Sequence, residues 1–508
     1  MTKIGLPSAV ASLLFFVACG GGSNKLTSGT NPLVAQYTVN ADSGSAVAVE
    51  FGPDTNYGLT TSATTVPDGE SQVTVLVAGM KADSTYHMRA VTTASDGSKK
   101  YDSDRTFTTG TVPDNKLPKT TVTLTPGQTP SPGVELLGLN PAANNSPQFT
   151  IEALDPAGNL IWYYDYDYSI GIAQPIKLLS NGHFLLIFFG GPSASQGGGT
   201  VREIDLAGTT INEFTVDDLN KSLAAAGYTW SAFAIHHDFV ELPNGHLLLL
   251  VNSFKDYTDV QGFPGTTSVQ GDAIVDLDEN LKPVWVWSAF DHLDVDRHPF
   301  GFTQQFADWT HSNALLYSPD DGNLVLSIRH QFWVVKIDYA NGQGTGNILW
   351  RLGYQGDFNL LDSSSPADWF YAQHFPNIIS PNSSGDFKLA VFDNGDNRVL
   401  DTSGNVCGSS GQPACYSRAV IYDVNETDMT AHVDWSDTLP YSFWGGAIQQ
   451  LPNNNVWVDS TTPLDLENKS ARIIEVTPDA QVLWKLEVDG QNSYRTIHLP
   501  SLYPGVQW

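Results

Sequence analysis

The sequence predicts an all-β protein, a small N-terminal β-sandwich followed by a six-bladed β-propeller. Composition is the first reason. Its 45 glycines and 29 prolines separate many short Val/Ile/Leu runs, as expected of strands joined by tight turns. The second reason is a block of short alternating runs between Val34 and Gly110. The third is a pattern repeated six times after residue 131, in units of roughly 50 to 85 residues holding two hairpins each, which is how four-stranded propeller blades read in sequence. A chain of 508 residues is also too long for one small core.

At the N-terminus, MTKIGLPSAVASLLFFVACGGGSNK runs from a weakly basic start through an apolar stretch to small residues, the pattern of an export signal over residues 1–19. Phe16-Val17-Ala18-Cys19 followed by glycines resembles a bacterial lipoprotein cleavage box. Cys19 is therefore the expected lipidation site, and the mature chain an exported, periplasmic or outer-membrane lipoprotein that meets membrane only through that anchor. No later stretch reaches the ~20 apolar residues of a spanning helix. Residues 20–32, rich in Gly, Ser, Thr and Asn, read as a flexible tether. In 33–110 the runs VAQYTVN, AVAVEFG, QVTVLVAG, STYHMRAVTT and RTFTTG are spaced like sandwich strands. GMKADSTYHMRAVTTASDG resembles the fibronectin type III pattern, an Ig-like sandwich. With no catalytic cluster, it reads as a spacer or docking module. A Pro/Thr-rich linker covers 111–130.

Residues 131–508 read as the propeller. Six segments share a β-run, an Asp or turn and a closing aromatic or apolar strand: EALDPAGNLIWYY, REIDLAGTTINEF, AIVDLDENLKPVWVW, VVKIDYANGQGTGNILW, AVIYDVNETDMTAHVDW and IIEVTPDAQVLWKL. Between them fall hairpins with Asn/Gly/Pro tips, such as IKLLSNGHFLLIF and FVELPNGHLLLLV.

Chemistry concentrates in three of these repeats. Lys and Arg number 25 against 54 Asp and Glu, a net charge of −29. That balance argues against binding nucleic acid, whose phosphates need basic surfaces. In so acidic a chain, the cationic cluster of ADWTHSNALLYSPDDGNLVLSIRHQFWVVKID, with His311, Asn313, Arg329 and His330, points to an anion site. AIHHDFVELPNGHLLLL and AQHFPNIISPNSSGDFKLAVFDNGDNR repeat the theme with His236, His237 and His374. His237, His311 and His374 occupy equivalent places in three consecutive repeats and are expected to converge on the channel, with Arg329 beside them. A metal held by these histidines would need carboxylate support, for which Asp238 and Asp308 are available. Arg329 in the same pocket argues against it, and no metal or other cofactor is expected. Cys407 and Cys415 form an even pair in a short Gly/Pro/Ser loop of an exported chain and read as a disulfide.

The blocks HHDFVELPNGHLLLL, DWTHSNALLYSPDDGNLVLSIRH and QHFPNIISPNSSGDFKLAVFDNGDNR, with the front domain, resemble the bacterial arylsulfate sulfotransferases. The resemblance implies a six-bladed propeller that moves a sulfuryl group from an aryl sulfate donor to a phenolic acceptor without a nucleotide. It implies a transient sulfohistidine on His374, sulfuryl binding by His311, Asn313 and Arg329, and a further histidine at His237 or His236. Phe375 and Pro376 depart from the polar residue expected beside the nucleophile. The chemistry agrees: a singly charged sulfuryl group passing through a loose transition state is stabilised by positioned cationic donors, and the Arg329 guanidinium offers a planar fork for two sulfuryl oxygens. Trp309, Phe332, Trp333, Trp369, Phe370 and Tyr371 flank the polar residues; most are expected in the blade cores, with one or two at the channel mouth to stack on a phenol. The competing classes are a non-catalytic cell-surface adhesin or carbohydrate-binding propeller, and a quinone-dependent propeller oxidoreductase. A homodimer is compatible with either enzyme reading.

Overall fold

The computed structural model describes residues 24–141, 148–189, 198–361, 363–380, 385–466 and 470–508. The expected export signal, with Cys19, lies outside them. Almost all regular structure is β, and no helix among the described residues is long and apolar enough to cross a membrane.

Six sheets, each built on four antiparallel strands, follow one another along the chain from Val134 onward. Their innermost strands are Ile172–Leu178, Ala234–Glu241, Ser312–Ser318, His374–Ile378, Ala447–Gln450 and Ser493–Leu499. Each touches the next, and the last touches the first, giving a β-propeller-like ring. The first sheet is assembled from both ends of this region: Ser493–Leu499 pairs with Val134–Leu139, which pairs with Ile151–Leu154 and then Leu160–Tyr163. The second strands, such as Phe184–Phe189 and Asn323–Ile328, are mostly apolar and buried along nearly their whole length because both faces meet a neighbouring sheet. Outer strands such as Thr210–Thr215 are exposed or half-exposed.

The repeated Asp and Asn residues explain the turns. Asp155, Asp205 and Asp278 accept backbone N–H groups two to four residues on, and Asn181, Asn244 and Asn453 do so at the inner hairpin tips, as Asx turns require. The closing tryptophans stitch neighbouring sheets. Trp162 Nε1 donates to Leu206 O, Trp287 to Gly346 O, Trp350 to Glu426, Trp435 to Pro478 O, and Trp484 in the last sheet to Pro156 O in the first.

Ahead of the ring, a three-stranded and a six-stranded sheet share one apolar core that includes Tyr37, Val49, Phe51, Val75 and Met88. Two boundaries shift. Lys25–Ser28, within the expected tether, is a strand paired with Ala35–Asn40. Thr120–Leu124, within the expected linker, adds a fifth strand to the last sheet by pairing with Val482–Val488. The C-terminal segment fastens the front unit: the Tyr503 hydroxyl donates to Leu76 O at 2.9 Å and accepts from Ala78 N at 2.7 Å, and Trp508 packs on Phe51.

Candidate active site

Four consecutive inner strands break register near one end, between Ala173 and Ile176, Ile235 and Phe239, Ser312 and Ala314, and His374 and Asn377. A bulge frees residues from ladder pairing and re-aims their side chains. His237, His311 and Phe375 adopt φ of 55°, 49° and 43°, a left-handed conformation costly for non-glycine residues and concentrated at functional sites. The strain brings together what the sequence separates. The His237 ring lies 4.8 Å from that of His311 and 5.6 Å from that of Tyr494, which in turn lies 6.0 Å from His374.

His374 is buried, and its tautomer follows from its neighbours. The Asn394 amide donates to Ser442 O at 2.8 Å and Gly445 O at 3.0 Å. Its oxygen therefore faces His374 Nδ1, 2.7 Å away, and Nδ1 carries the hydrogen. Nε2 is left with its lone pair, approached by Gly445 N–H at 3.3 Å. Burial, and then the Arg329 charge, hold the His374 pKa well below the ordinary imidazole value, so the ring is a neutral nucleophile at pH 7.

Arg329 follows the strand Asn323–Ile328 and so returns to the same end as His311. Its Nη2 donates to Asp396 at 2.8 Å and Phe443 O at 3.1 Å, and its Nη1 to His330 Nε2 at 2.7 Å. The expected free fork is thus largely engaged by the protein, and Nε is the guanidinium nitrogen without a partner. His330 donates Nδ1–H to Asp308 O. Burial, followed by His311, lowers its pKa to about 3, so it is neutral. Asp396 is also bonded by the Tyr441 hydroxyl, and burial lifts its pKa to about 6.

His311 Nδ1 lies 2.5 Å from Asp308 Oδ2, which leaves its Nε2 for the channel. Asp308, His311 and His330 hold ligand atoms close enough together to share a metal ion, although their Nδ1 atoms are already hydrogen-bonded to Asp308 itself. Asp238, considered as metal support, is instead a counter-ion at the channel floor, 2.5 Å from Lys177 Nζ and 3.2 Å from Arg495 Nη1. Arg495 donates to Asn313 O. Asn313 gives an N–H to Gln373 O at 2.7 Å, and its Oδ1 has no partner. Of the two adjacent histidines, His237 faces the channel and His236 is buried behind it.

The flanking aromatics lie in the blade cores, as expected of most of them, and the one or two expected at the channel mouth are buried with the rest. Trp309, Phe332, Trp333, Trp369, Phe370 and Tyr371 are all buried in the cores between sheets. The aromatic rings near the imidazoles are Tyr494, with Trp444 stacked 6.4 Å behind it, Phe189 stacked 6.5 Å from His237, and Phe300 stacked on His330. Beside them a cavity of about 400 Å³ is lined by Phe443, Trp444, Pro463 and Leu464. Sequence reasoning missed Asn394, Asp396, Gly445 and Tyr494. Two of these sit in the polar run DNGDNR, which was the available signal; Tyr494 and Gly445 carry none. Cys407 and Cys415 are disulfide-bonded as expected, and Cys407 N donates to the O of Arg398, the last residue of that run.

A family model described as arylsulfotransferase (ASST) matches residues 127–495. The arylsulfate sulfotransferase AssT of Escherichia coli O6:H1 is 28% identical over 254 residues, an alignment covering 39% of this chain and 39% of that protein. Among solved structures, a putative 6-phosphogluconolactonase of Bacteroides uniformis aligns at 10% identity and TM-score 0.39, covering 72% of this chain and 99% of its own. A lignostilbene dioxygenase of Pseudomonas brassicacearum aligns at 11% and 0.35, covering 91% and 94%. The family match takes in every histidine, arginine and asparagine of the site just described, and this chain belongs to the arylsulfotransferase family.

Proposed function

We propose that this protein transfers a sulfuryl group from an aryl sulfate, rather than from a nucleotide donor, to a phenolic acceptor through a covalent intermediate on His374. The frame is a closed six-bladed propeller behind an Ig-like sandwich, exported and held at the membrane by Cys19. One observation carries the reading. Around the channel lie several buried polar atoms without hydrogen-bond partners: Arg329 Nε, Ser312 Oγ, Asn313 Oδ1 and the Tyr494 hydroxyl. Leaving each such atom unpaired costs about 1–3 kcal/mol. Arg329 Nε–H and the hydroxyls of Ser312 and Tyr494 can donate, and an anionic group with several acceptor oxygens is the ligand that would satisfy these three together; Asn313 Oδ1 can only accept and is left for a proton-bearing group such as a phenol.

In the first half-reaction, His374 Nε2 attacks sulfur, the sulfur–oxygen bond to the aryl group breaks, and the phenol departs with a proton from the channel. Arg329 Nε–H, Gly445 N–H and the Nε2 atom of His311, when protonated, face the charge that spreads over the sulfuryl oxygens. In the second, the acceptor phenol loses its proton and its oxygen takes the sulfuryl group as the nitrogen–sulfur bond breaks. One site serving both phenols in turn gives ping-pong kinetics. The cavity by Phe443 and Trp444 supplies an apolar seat for the rings.

The test is mass spectrometry of enzyme mixed with aryl sulfate alone. An acid-labile adduct of one sulfuryl group on the His374 peptide is expected, absent in His374→Asn. Intersecting double-reciprocal plots with no adduct under rapid quench would rule out the covalent route. Absence of any turnover with aryl sulfates would favour a binding protein.

A further inference from the structure

Resting on the sulfotransfer reading, a second inference concerns residues behind the channel. Three residues, His236, His237 and Asp238, fall in the register break of Ala234–Glu241. In a regular strand, neighbouring side chains point to opposite faces. Here the two imidazoles meet, Nδ1 to Nδ1, at 2.6 Å, and such a contact needs one nitrogen protonated and the other bare. Asp272 decides which. Its Oδ2 is occupied by the Thr310 hydroxyl at 2.7 Å and by Ser312 N–H, whereas Oδ1 lies 3.3 Å from His236 Nε2, an ion-pair approach without hydrogen-bond geometry that leaves His236 Nε2 facing no other partner. A carboxylate beside Nε2 places the hydrogen there and leaves His236 Nδ1 bare. His237 must then donate its Nδ1–H inward and present a bare Nε2 outward. All three residues are in the interior or at the channel wall.

We propose that Asp272 and His236 are positioning residues that fix the tautomer of His237, making its Nε2 the base for the acceptor phenol. In that step the phenol O–H proton moves to His237 Nε2, the phenol oxygen bonds to sulfur, and the bond from sulfur to His374 Nε2 breaks. In the first half-reaction the departing phenolate takes its proton from channel water, and after the second His237 sheds the acquired proton to solvent. The resulting imidazolium is stabilised from behind, since the Nδ1 proton can pass to His236 as the Nε2 proton of His236 moves towards Asp272. The groups facing His237 are His311, His374, Tyr494 and Arg495, with the Lys177–Asp238 pair below. Burial, and then the neighbouring histidines and Arg495, hold the His237 pKa well below the ordinary imidazole value, so it is neutral at rest.

Asp272→Asn tests the relay. The amide keeps the Thr310 and Ser312 contacts through its oxygen and turns an N–H towards His236 Nε2, which reverses both tautomers and leaves His237 with an outward N–H. Transfer from sulfated enzyme to unsubstituted phenol, which needs the base, should fall on the order of 10²–10³-fold. The burst of 4-nitrophenolate from 4-nitrophenyl sulfate, which leaves without a proton, should fall far less. Equal losses in both half-reactions at unchanged Tm, or unimpaired transfer, would overturn the proposal. A second measurement does not depend on turnover: in wild-type protein, 15N chemical shifts of labelled histidines should show bare nitrogens at His236 Nδ1 and His237 Nε2, and the opposite pair would refute the relay. Loss of sulfotransfer in the wild type with these tautomers present would sink the functional reading alone.

Discussion

Replacing Asn394 by aspartate changes two atoms and separates charge from packing. Asn394 is fully buried and makes three contacts, accepting from His374 Nδ1 at 2.7 Å and donating to two carbonyls at 2.8 and 3.0 Å. A carboxylate there keeps the first contact and turns the other two into oxygen–oxygen approaches. With about 1–3 kcal/mol for each unpaired buried acceptor, Asn394→Asp should lose roughly 2–6 kcal/mol of stability, less where the carboxyl protonates and donates one bond. The effect on His374 has the opposite sign. Burial and Arg329 now hold its pKa below the ordinary value, whereas an adjacent carboxylate raises an imidazole pKa by about 1–3 units. The imidazolium has no lone pair at Nε2. In the wild type the nucleophile is therefore neutral at and below pH 6.5. In the variant the burst of phenol release should lose amplitude or rate as pH falls, with an apparent pKa moved upward. Stopped-flow bursts from pH 5 to 9, together with thermal unfolding, measure both. A variant with an unmoved acid limb and an unchanged burst would show that Asn394 neither orients nor tunes His374.

Arg329→Lys keeps the charge but cannot span Asp396, Phe443 O and His330 while presenting a further N–H, and turnover should fall on the order of 10²–10³-fold in kcat/KM assays. Gly445→Ala should abolish activity, since a Cβ there would lie 2.3 Å from Thr461 Oγ1 and 2.8 Å from Tyr494 O at φ +62°; turnover near normal would show that the Gly445 N–H position is unimportant. Asp396 titrates at about 6, so its carboxylate holds Arg329 fully above that pH and loses its charge below it. The wild-type pH–rate profile should fall through about pH 6, and Asp396→Asn should remove that limb at reduced overall rate. Tyr503→Phe strands Leu76 O and Ala78 N in the interior and should cost about 1–3 kcal/mol, read by denaturant unfolding, with the sulfuryl-transfer rate unchanged.

How much was legible before folding follows from what each feature depends on. Hairpin tips with Asx residues, apolar second strands and closing tryptophans are local patterns, and they determine six four-stranded sheets because turn chemistry and two-sided burial act within a few residues. The same periodicity placed His237, His311 and His374 in equivalent positions of successive repeats. Boundaries were less legible: Thr120–Leu124 reads as linker until an unpaired edge 360 residues later in the chain, at Val482–Val488, gives it a partner. Most of the flanking aromatics lie in blade cores as expected, but which rings line the channel was not legible, because burial is a property of sheet packing. Trp309 and Tyr371 are close in sequence to the catalytic candidates, yet their side chains face the neighbouring sheet, while Tyr494 enters the channel from the strand that joins last to first. Bulges decided the rest. A two-residue shift in register is invisible in composition but turns His236 and His237 onto each other, and only convergence of distant strands sets Asn394 behind His374 and Asp272 behind His236.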